Sequence, residues 1–328
     1  MQSKATSAMP FLMVVRAFIR RSPARMAVII AVLLYGLTVA MVPTALNMGA
    51  ISSIVMFTLL LSFASAGQTI VLIGGGLDFT VGAVMSTAGI LTVMIMQGQD
   101  GRFVQAFAVV MVMSVAVGLL NGLCTVKIGL PALIVTLAIS NVVTRLQYVF
   151  TQGSPTGYAA PAFIRTVTYR YFGYVPSLIL YALIVFPLVF YILNRSRYGR
   201  QLFLVGNNAI AARLTGINVN RVKILSYVIS AMFAGFTGML AAAYMTRAQC
   251  QMFDDYAYNS LIAVIVGGTA FSGGVGTYTG TIAGSLLMVV LTNMLTALFL
   301  PQPIRNLVMG GIMVLLLLMY NRKKPVRQ

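Results

Sequence analysis

Apolar residues in this chain come in long blocks, broken at short intervals by glycine, proline and basic residues. Ten blocks stand out: Met26–Thr44, Ala50–Ile73, Val81–Gln97, Phe103–Val126, Ala132–Val149, Val175–Leu193, Ile224–Thr246, Leu261–Phe271, Thr279–Leu300 and Ile304–Tyr320. Most approach or pass the roughly 20 residues that a helix needs to cross a hydrocarbon core. The expected fold class is an all-α integral membrane protein of about ten transmembrane helices with glycine-rich broken segments. The eighth block is too short to cross alone and runs into glycines, so neighbouring backbone must complete it.

Composition agrees. Hydrophobic residues make up 59% of the 328 and charged residues 8%, with mean hydropathy +0.94. A soluble domain carries about 25% charged residues. The net charge of +18 would suit phosphate. Yet the basic residues sit at block ends and in short connections, which fits a lipid membrane and excludes nucleic acid as a partner. With the N-terminus inside and the spans alternating, sixteen Lys and Arg fall inside, among them Arg16, Arg20, Arg21, Arg25, Arg195 and Arg197. Six fall outside: Arg102, Arg145, Arg165, Arg170, Arg247 and Arg305. Both termini are therefore expected in the cytoplasm. The run after Arg25 lacks a small-residue cleavage site and reads as a retained first helix.

Residues 1–25 are a basic cytoplasmic segment, 26–320 a single transmembrane domain and 321–328 a basic tail. Two connections are long: Phe150–Tyr174, outside, and Asn194–Lys223, inside and strongly basic. Neither can hold a soluble domain.

Candidate chemistry is sparse. There is no His, Glu or Trp, and the four acids are Asp78, Asp100, Asp254 and Asp255. No catalytic residue and no metal site is expected. Asp254 and Asp255, adjacent in an outside loop, read as solvated charge or as a cation site. Cys124 and Cys250 are too few for a disulfide framework. No Gly-Lys pair exists, so a Walker phosphate loop is excluded. Spans without mid-helix charges do not suit ion coupling. The neutral Gln68, Asn121, Asn141 and Asn293 are either interhelical hydrogen bonds or the lining of a path.

Three segments interrupt the apolar pattern. "IGGGLDFTVG" (73–82) breaks a span at Gly74–Gly76 and restarts near Phe79, with Asp78 or Thr80 placed to cap the new helix. It is a capped turn or a broken helix pair lining a pathway. "GGTAFSGGVGTYTGTIAG" (267–284) opens on Gly267 and Gly268, and its Gly276, Gly280 and Gly284 form a stripe for close helix packing. In "RYGRQLFLVGNNAIAARLTGINVNRVK" (197–223), Asn207 or Asn208 caps a short helix and Gly216 stops it. Ile210 and Leu214 share one face of that helix, suited to a partner's groove or to anionic lipid.

These features together resemble the permease subunits of ATP-binding-cassette sugar importers of the ribose type, in the branched-chain amino acid/ribose permease superfamily. The marks are "GGLDFTVGAVMSTAG" (75–89), "GLPALIVTLAIS" (129–140), "VGNNAIAARLTGINVNRVKILSYVISAMFAGFTGML" (205–240) and "AVIVGGTAFSGGVGTYTGTIAG" (263–284), in the family's order. The resemblance implies a permease of the bacterial inner membrane working as a homo- or heterodimer. Two cytoplasmic ATPase subunits would hold ATP and Mg, leaving this chain no cofactor and no enzyme activity, and an extracytoplasmic binding protein would deliver the sugar.

It further implies that Asn207, Asn208, Ile210, Arg213, Leu214 and Thr215 form the ATPase-coupling segment. Gly75, Gly76, Asp78, Thr80, Gln68, Asn121, Asn141, Gly267 and Gly268 would belong to the translocation path. The chain departs from the family pattern at Ala209, where a glutamate is usual, and at Ala257 and Asn259, where acids are usual. A heteromeric partner permease would supply the missing groups. Nucleosides, autoinducers or branched-chain amino acids are the rival cargoes; an ion-coupled secondary transporter and a membrane scaffold are the rival classes.

Overall fold

The computed structural model describes residues 23–321, with side chains through Leu315. The basic residues before Pro23 and after Asn321 lie outside the described residues. Among the described residues there are thirteen α-helices, with a two-stranded hairpin between the sixth and seventh. They are α1 Pro23–Met41, α2 Met48–Ile73, α3 Val81–Met96, α4 Phe103–Val126, α5 Ala132–Thr151, α6 Pro161–Thr168 and α7 Leu178–Phe190. After them come α8 Arg197–Asn207, α9 Ala209–Leu214, α10 Val219–Met245, α11 Tyr256–Val266, α12 Tyr278–Ala297 and α13 Gln302–Asn321. Seven stretches among the described residues are long and apolar enough to cross a membrane; α3 and α11 are shorter and apolar.

The core is built on α2 and α10. From Leu59 to Ile73 every residue of α2 is buried, and α10 packs against α2, α3 and α4. Without a water-driven hydrophobic effect inside lipid, such contacts depend on close backbone approach. At the α2–α10 crossing a Cβ on Gly67 would sit 2.5 Å from the Ser230 Cα. At the α3–α10 crossing one on Gly238 would sit 2.3 Å from the Met85 carbonyl oxygen.

The helix breaks define two ends of the bundle. At the basic end lie Gly74–Gly76, the α8–α9 segment and Gly267–Thr277. At the far end lie the connections after α3, α5, α10 and α12, the first three joined by the bonds Gly98 N–H to Tyr158 carbonyl (2.9 Å) and Ala159 N–H to Thr246 carbonyl (3.3 Å).

Three expectations shift. The long outside loop is partly structured: Pro161 opens α6, its fixed φ suiting a first helical turn. Strands β1 Arg170–Tyr171 and β2 Val175–Pro176 then pair antiparallel across a turn with positive φ at Phe172 and Gly173. The sixth block therefore begins its helix at Leu178 and ends in a π turn, Tyr191–Arg195, after Pro187. The eighth helix is displaced five residues toward the N-terminus, because its first turn is polar and Gly268, at φ +95°, ends it.

Candidate coupling face and solute cavity

At the basic end α8 is amphipathic: Leu202 and Val205 are buried against the bundle. Ser196 starts it by accepting from the Gly199 N–H at 2.9 Å. Asn208, rather than Asn207, caps α9; its Oδ1 accepts from the Ile210 and Ala211 N–H groups at 3.0 Å each. The helix stops at Thr215, where the Gly216 and Ile217 N–H groups return to the Arg213 and Ala212 carbonyls, with Gly216 at φ +83°. Ala212 faces inward and is buried, while Ile210 is 77% and Leu214 84% exposed. Arg213 and Thr215 are exposed as well. The short helix thus presents two large apolar side chains and a cation to solvent from a platform fixed on its other face.

The two glycine breaks end their helices in one way. After α2, the Gly75 and Gly76 N–H groups bond the Leu72 and Val71 carbonyls at 3.0 and 2.9 Å. After α11, the Gly268 and Thr269 N–H groups bond the Ile265 and Val264 carbonyls at 2.9 and 3.1 Å. Both are Schellman caps, with the left-handed residue at Gly75 and Gly268.

The end of α8 lies against the first break and against Gly273 and Gly274, in the loop that follows the second. The Gly274 N–H donates to the Ile73 carbonyl at 2.8 Å. A Cβ on Gly206 would stand 1.8 Å from that same oxygen and 2.6 Å from the Gly274 nitrogen. One on Gly273 would meet the Gly75 Cα at 2.9 Å and the Gly206 oxygen at 3.0 Å. Three chain segments therefore meet backbone on backbone, directly beneath α9. Sequence reading marked Gly75 but neither Gly206 nor the role of Gly273 and Gly274. The repeated Gly-Gly pairs were the signal available; their meeting is a tertiary fact.

The remaining residues singled out in the sequence separate into groups. Gln68, Asp78, Thr80 and Asn121 are fully buried. Asp78 does not cap α3. Its Oδ1 instead accepts from the Thr80 N–H at 2.9 Å and from the Thr80 hydroxyl at 2.5 Å, a tight turn that precedes the helix. Thr80 occupies the cap position without a capping side-chain bond and accepts from the Asn121 amide at 2.9 Å. The second Asp78 oxygen and both amide atoms of Gln68 have no hydrogen-bond partner among the described residues. Asn141 lies apart, exposed and bonded to the Leu137 carbonyl of its own helix. Gly280 and Gly284 of α12 lie against α11: a Cβ on either would come within 2.0 Å of the Gly267 or Ala263 carbonyl oxygen. Gly276 faces Thr269 and Ile73.

At the far end a cavity of about 740 Å³ opens between α2, α11, α12 and α13. Its residues recur at helical spacing: Asp255, Asn259 and Ile262; Val289, Asn293 and Thr296; Gln302, Asn306 and Met309. Position along each helix puts the polar members toward the mouth and the apolar ones, with Leu61 and Met288, toward the floor. At the mouth the Gln302 amide donates to Asp255 at 2.7 Å and to Asn306 at 3.2 Å. Arg305 donates to the Thr296 hydroxyl at 2.6 Å and also to the Gln302 oxygen. Behind Asp255, burial pushes the Asp254 carboxyl above the usual carboxylate range, opposed by a bond from Gln251 and helped by the Asp255 charge. Asn293 carried a sequence signal as an amide inside an apolar span. Asn259 stood out only as a departure from the family pattern, and Gln302 and Arg305 carried no such signal, since they come from separate segments. None of Gln68, Asp78, Thr80, Asn121 or Asn141 lines this cavity.

Comparison with known proteins now adds to the geometry. A family model described as branched-chain amino acid transport system / permease component matches residues 50–317. The ribose import permease protein of Escherichia coli is 30% identical over 267 residues, covering 79% of this chain and 82% of that protein. The ribose import permease protein of Bacillus subtilis is 30% identical over 260 residues, 79% and 80% of the two chains. The galactose/methyl galactoside import permease protein of Haemophilus influenzae is 27% identical over 320 residues, 90% and 94% of the two. No solved structure matches the chain at a significant level. With four-fifths of its length matched and its apolar helices broken by paired glycines, the chain belongs to the family of branched-chain amino acid transport system permease components.

Proposed function

We propose that this chain is the permease subunit of an ATP-driven importer of a monosaccharide, seated in the bacterial inner membrane with its basic end toward the cytoplasm. The observation that carries the reading is the α9 ridge, Ile210 and Leu214, standing on a backbone junction that touches the end of α2 and the glycine loop after α11. An exposed apolar ridge on a short helix fits a groove in a partner, and Arg213 beside it suits an acidic rim. The partner is a separate cytoplasmic ATPase, which holds the ATP and Mg. Asn207, Asn208 and Thr215 fix the ends of the docking helix.

Movement of the ATPase then displaces α8 and α9. Gly206 and Asn207 meet Ile73, Gly273 and Gly274 with no side-chain cushion, so the displacement passes straight to the end of α2 and, through the loop after it, to the end of α11. The translocation path runs past those ends, bordered by Gly75, Gly76, Gly267 and Gly268. The buried Gln68, Asp78, Thr80 and Asn121 hold its wall, and Asn141 faces it from the exposed side of α5. A second permease copy, identical or related, completes the path, and an extracytoplasmic sugar-binding protein supplies it.

The names of the relatives favour a sugar. The family description raises a branched-chain amino acid as the second reading. A zwitterion would require a free cation and a free anion in its site, but Arg305 and Asp255 are joined through Gln302.

The test is uptake of D-ribose, D-galactose and L-arabinose by proteoliposomes holding the chain with its co-encoded ATPase and binding protein. ATP-dependent accumulation of at least one sugar is expected. Uptake that survives ATP depletion and collapses with an uncoupler overturns the reading.

A further inference from the structure

The far-end cavity is remote from the coupling face, and its chemistry is specific. Asn259 of α11 and Asn293 of α12 line it, half-buried, with side-chain amides that make no hydrogen bond among the described residues. Each carboxamide offers two donors and an acceptor oxygen, free to pair with water or with the hydroxyls of a solute in the cavity. The Arg305 Nε is buried and likewise without a partner. Formal charge is cancelled at the rim, where Asp255, Gln302 and Arg305 form one hydrogen-bonded chain.

Tyr258 adds an exposed ring, held edge-on by Phe79 at 5.7 Å between centroids. The floor is rich in methionine (Met245, Met252, Met288, Met309 and Met313), an adaptable apolar surface. The volume of about 740 Å³ falls within the roughly 300–1,000 Å³ of small-molecule sites. A neutral, polyhydroxylated solute matches this combination: hydroxyls for the carboxamides, a ring face for tyrosine and no net charge to balance.

We propose that this cavity is a solute subsite within each single chain. In it Asn259 and Asn293 hydrogen-bond the hydroxyls of a neutral sugar, and the Asp255–Gln302–Arg305 chain forms the rim the sugar crosses. The proposal rests on the permease reading and deepens it. Unpaired amides above a compliant floor make a site that holds its solute loosely, as a path must if it is to release.

The test uses the full chain in complex with its ATPase and binding protein, in right-side-out vesicles. The background carries Cys124→Ser and Cys250→Ser. Asn293→Cys is labelled with a membrane-impermeant methanethiosulfonate reagent, with and without whichever of D-ribose, D-galactose or L-arabinose the wild type transports. The sugar is expected to slow labelling at least threefold, and to leave Gln249→Cys, exposed in the same end's loop, unaffected. In parallel, Asn259→Ala with Asn293→Ala is expected to raise the KM for uptake about tenfold while ATPase co-purification is unchanged. A thiol that labels equally with and without sugar, or a double variant that transports like the wild type, overturns the subsite and leaves the permease reading standing. A wild type that transports none of the three sugars with ATP removes the permease reading and the subsite with it.

Discussion

The two ends of this molecule solve opposite problems with opposite materials. At the basic end, Gly75, Gly206, Gly273 and Gly274 bring three backbones together with no side chain between them. At the far end, about 740 Å³ is left open and lined by amides, methionines and two tyrosines. The first arrangement cannot yield without moving whole segments, because backbone contacts have no rotamers to absorb a shift. The second can adapt to a guest by side-chain motion alone. A transporter coupled to a remote motor needs both: a stiff joint to pass displacement on and a compliant space for the cargo.

The sharpest way to break the comparison is to give the joint a side chain. Gly206→Val places carbon where the Ile73 oxygen already sits, so α8 must lift off the end of α2 and the Gly273–Gly274 loop. Overpacking of this kind costs about 1–3 kcal/mol or more, and here it acts on three segments at once. We expect uptake to be lost and the thermal midpoint of the purified protein to fall by several degrees. Gly216→Ala is the control: φ is +83° but nothing lies within 4 Å, so only the backbone penalty of about 1 kcal/mol applies. Equal effects from the two substitutions would show that backbone conformation, not the three-way contact, matters at these glycines.

The second prediction separates stiffness from docking. Leu214 is 84% exposed and touches nothing that the fold requires. Leu214→Asp should leave the thermal midpoint within about a degree, as surface changes cost under about 0.5 kcal/mol. It should abolish uptake and ATPase co-purification, because a carboxylate cannot enter an apolar groove without a partner. Normal co-purification would remove the docking role from α9.

These regions were not equally legible in the chain. The helical blocks were, because lipid demands long uninterrupted apolar runs and the sequence has them. Helix α9 was, because an Asn cap, good helix formers and a glycine stop lie within ten residues of one another. The hairpin at Arg170–Pro176 and helix α8 were not, since short mixed runs such as "RYGRQLFLVGN" read as loop until one face finds the bundle. The cavity was the least legible. Asn259, Asn293 and Asn306 lie on three different helices, and each alone is an ordinary polar residue; only packing gathers them. The glycine joint stands between these cases: the pairs were visible, but that they touch one another was not.

Asp78 offers the finest test of where stiffness ends and chemistry begins. Its carboxyl is fully buried between the two regions, holds the turn before α3 through Thr80 and leaves one oxygen without a partner. If the turn is its whole task, Asp78→Asn keeps the shape and the acceptor for the Thr80 N–H, and the exchange of an unpaired oxygen for an unpaired amide is close to balanced. The expected cost is below about 1 kcal/mol, with uptake within about twofold of the wild type. Asp78→Ala, which removes the acceptor altogether, should cost more, about 1–3 kcal/mol, by stranding the Thr80 donors and opening a small void. An Asn variant that is as stable as the wild type yet transports nothing would break this ordering. It would mean that the buried carboxyl itself, not the turn it closes, takes part in the transport cycle, and that the rigid end of the molecule carries chemistry as well as motion.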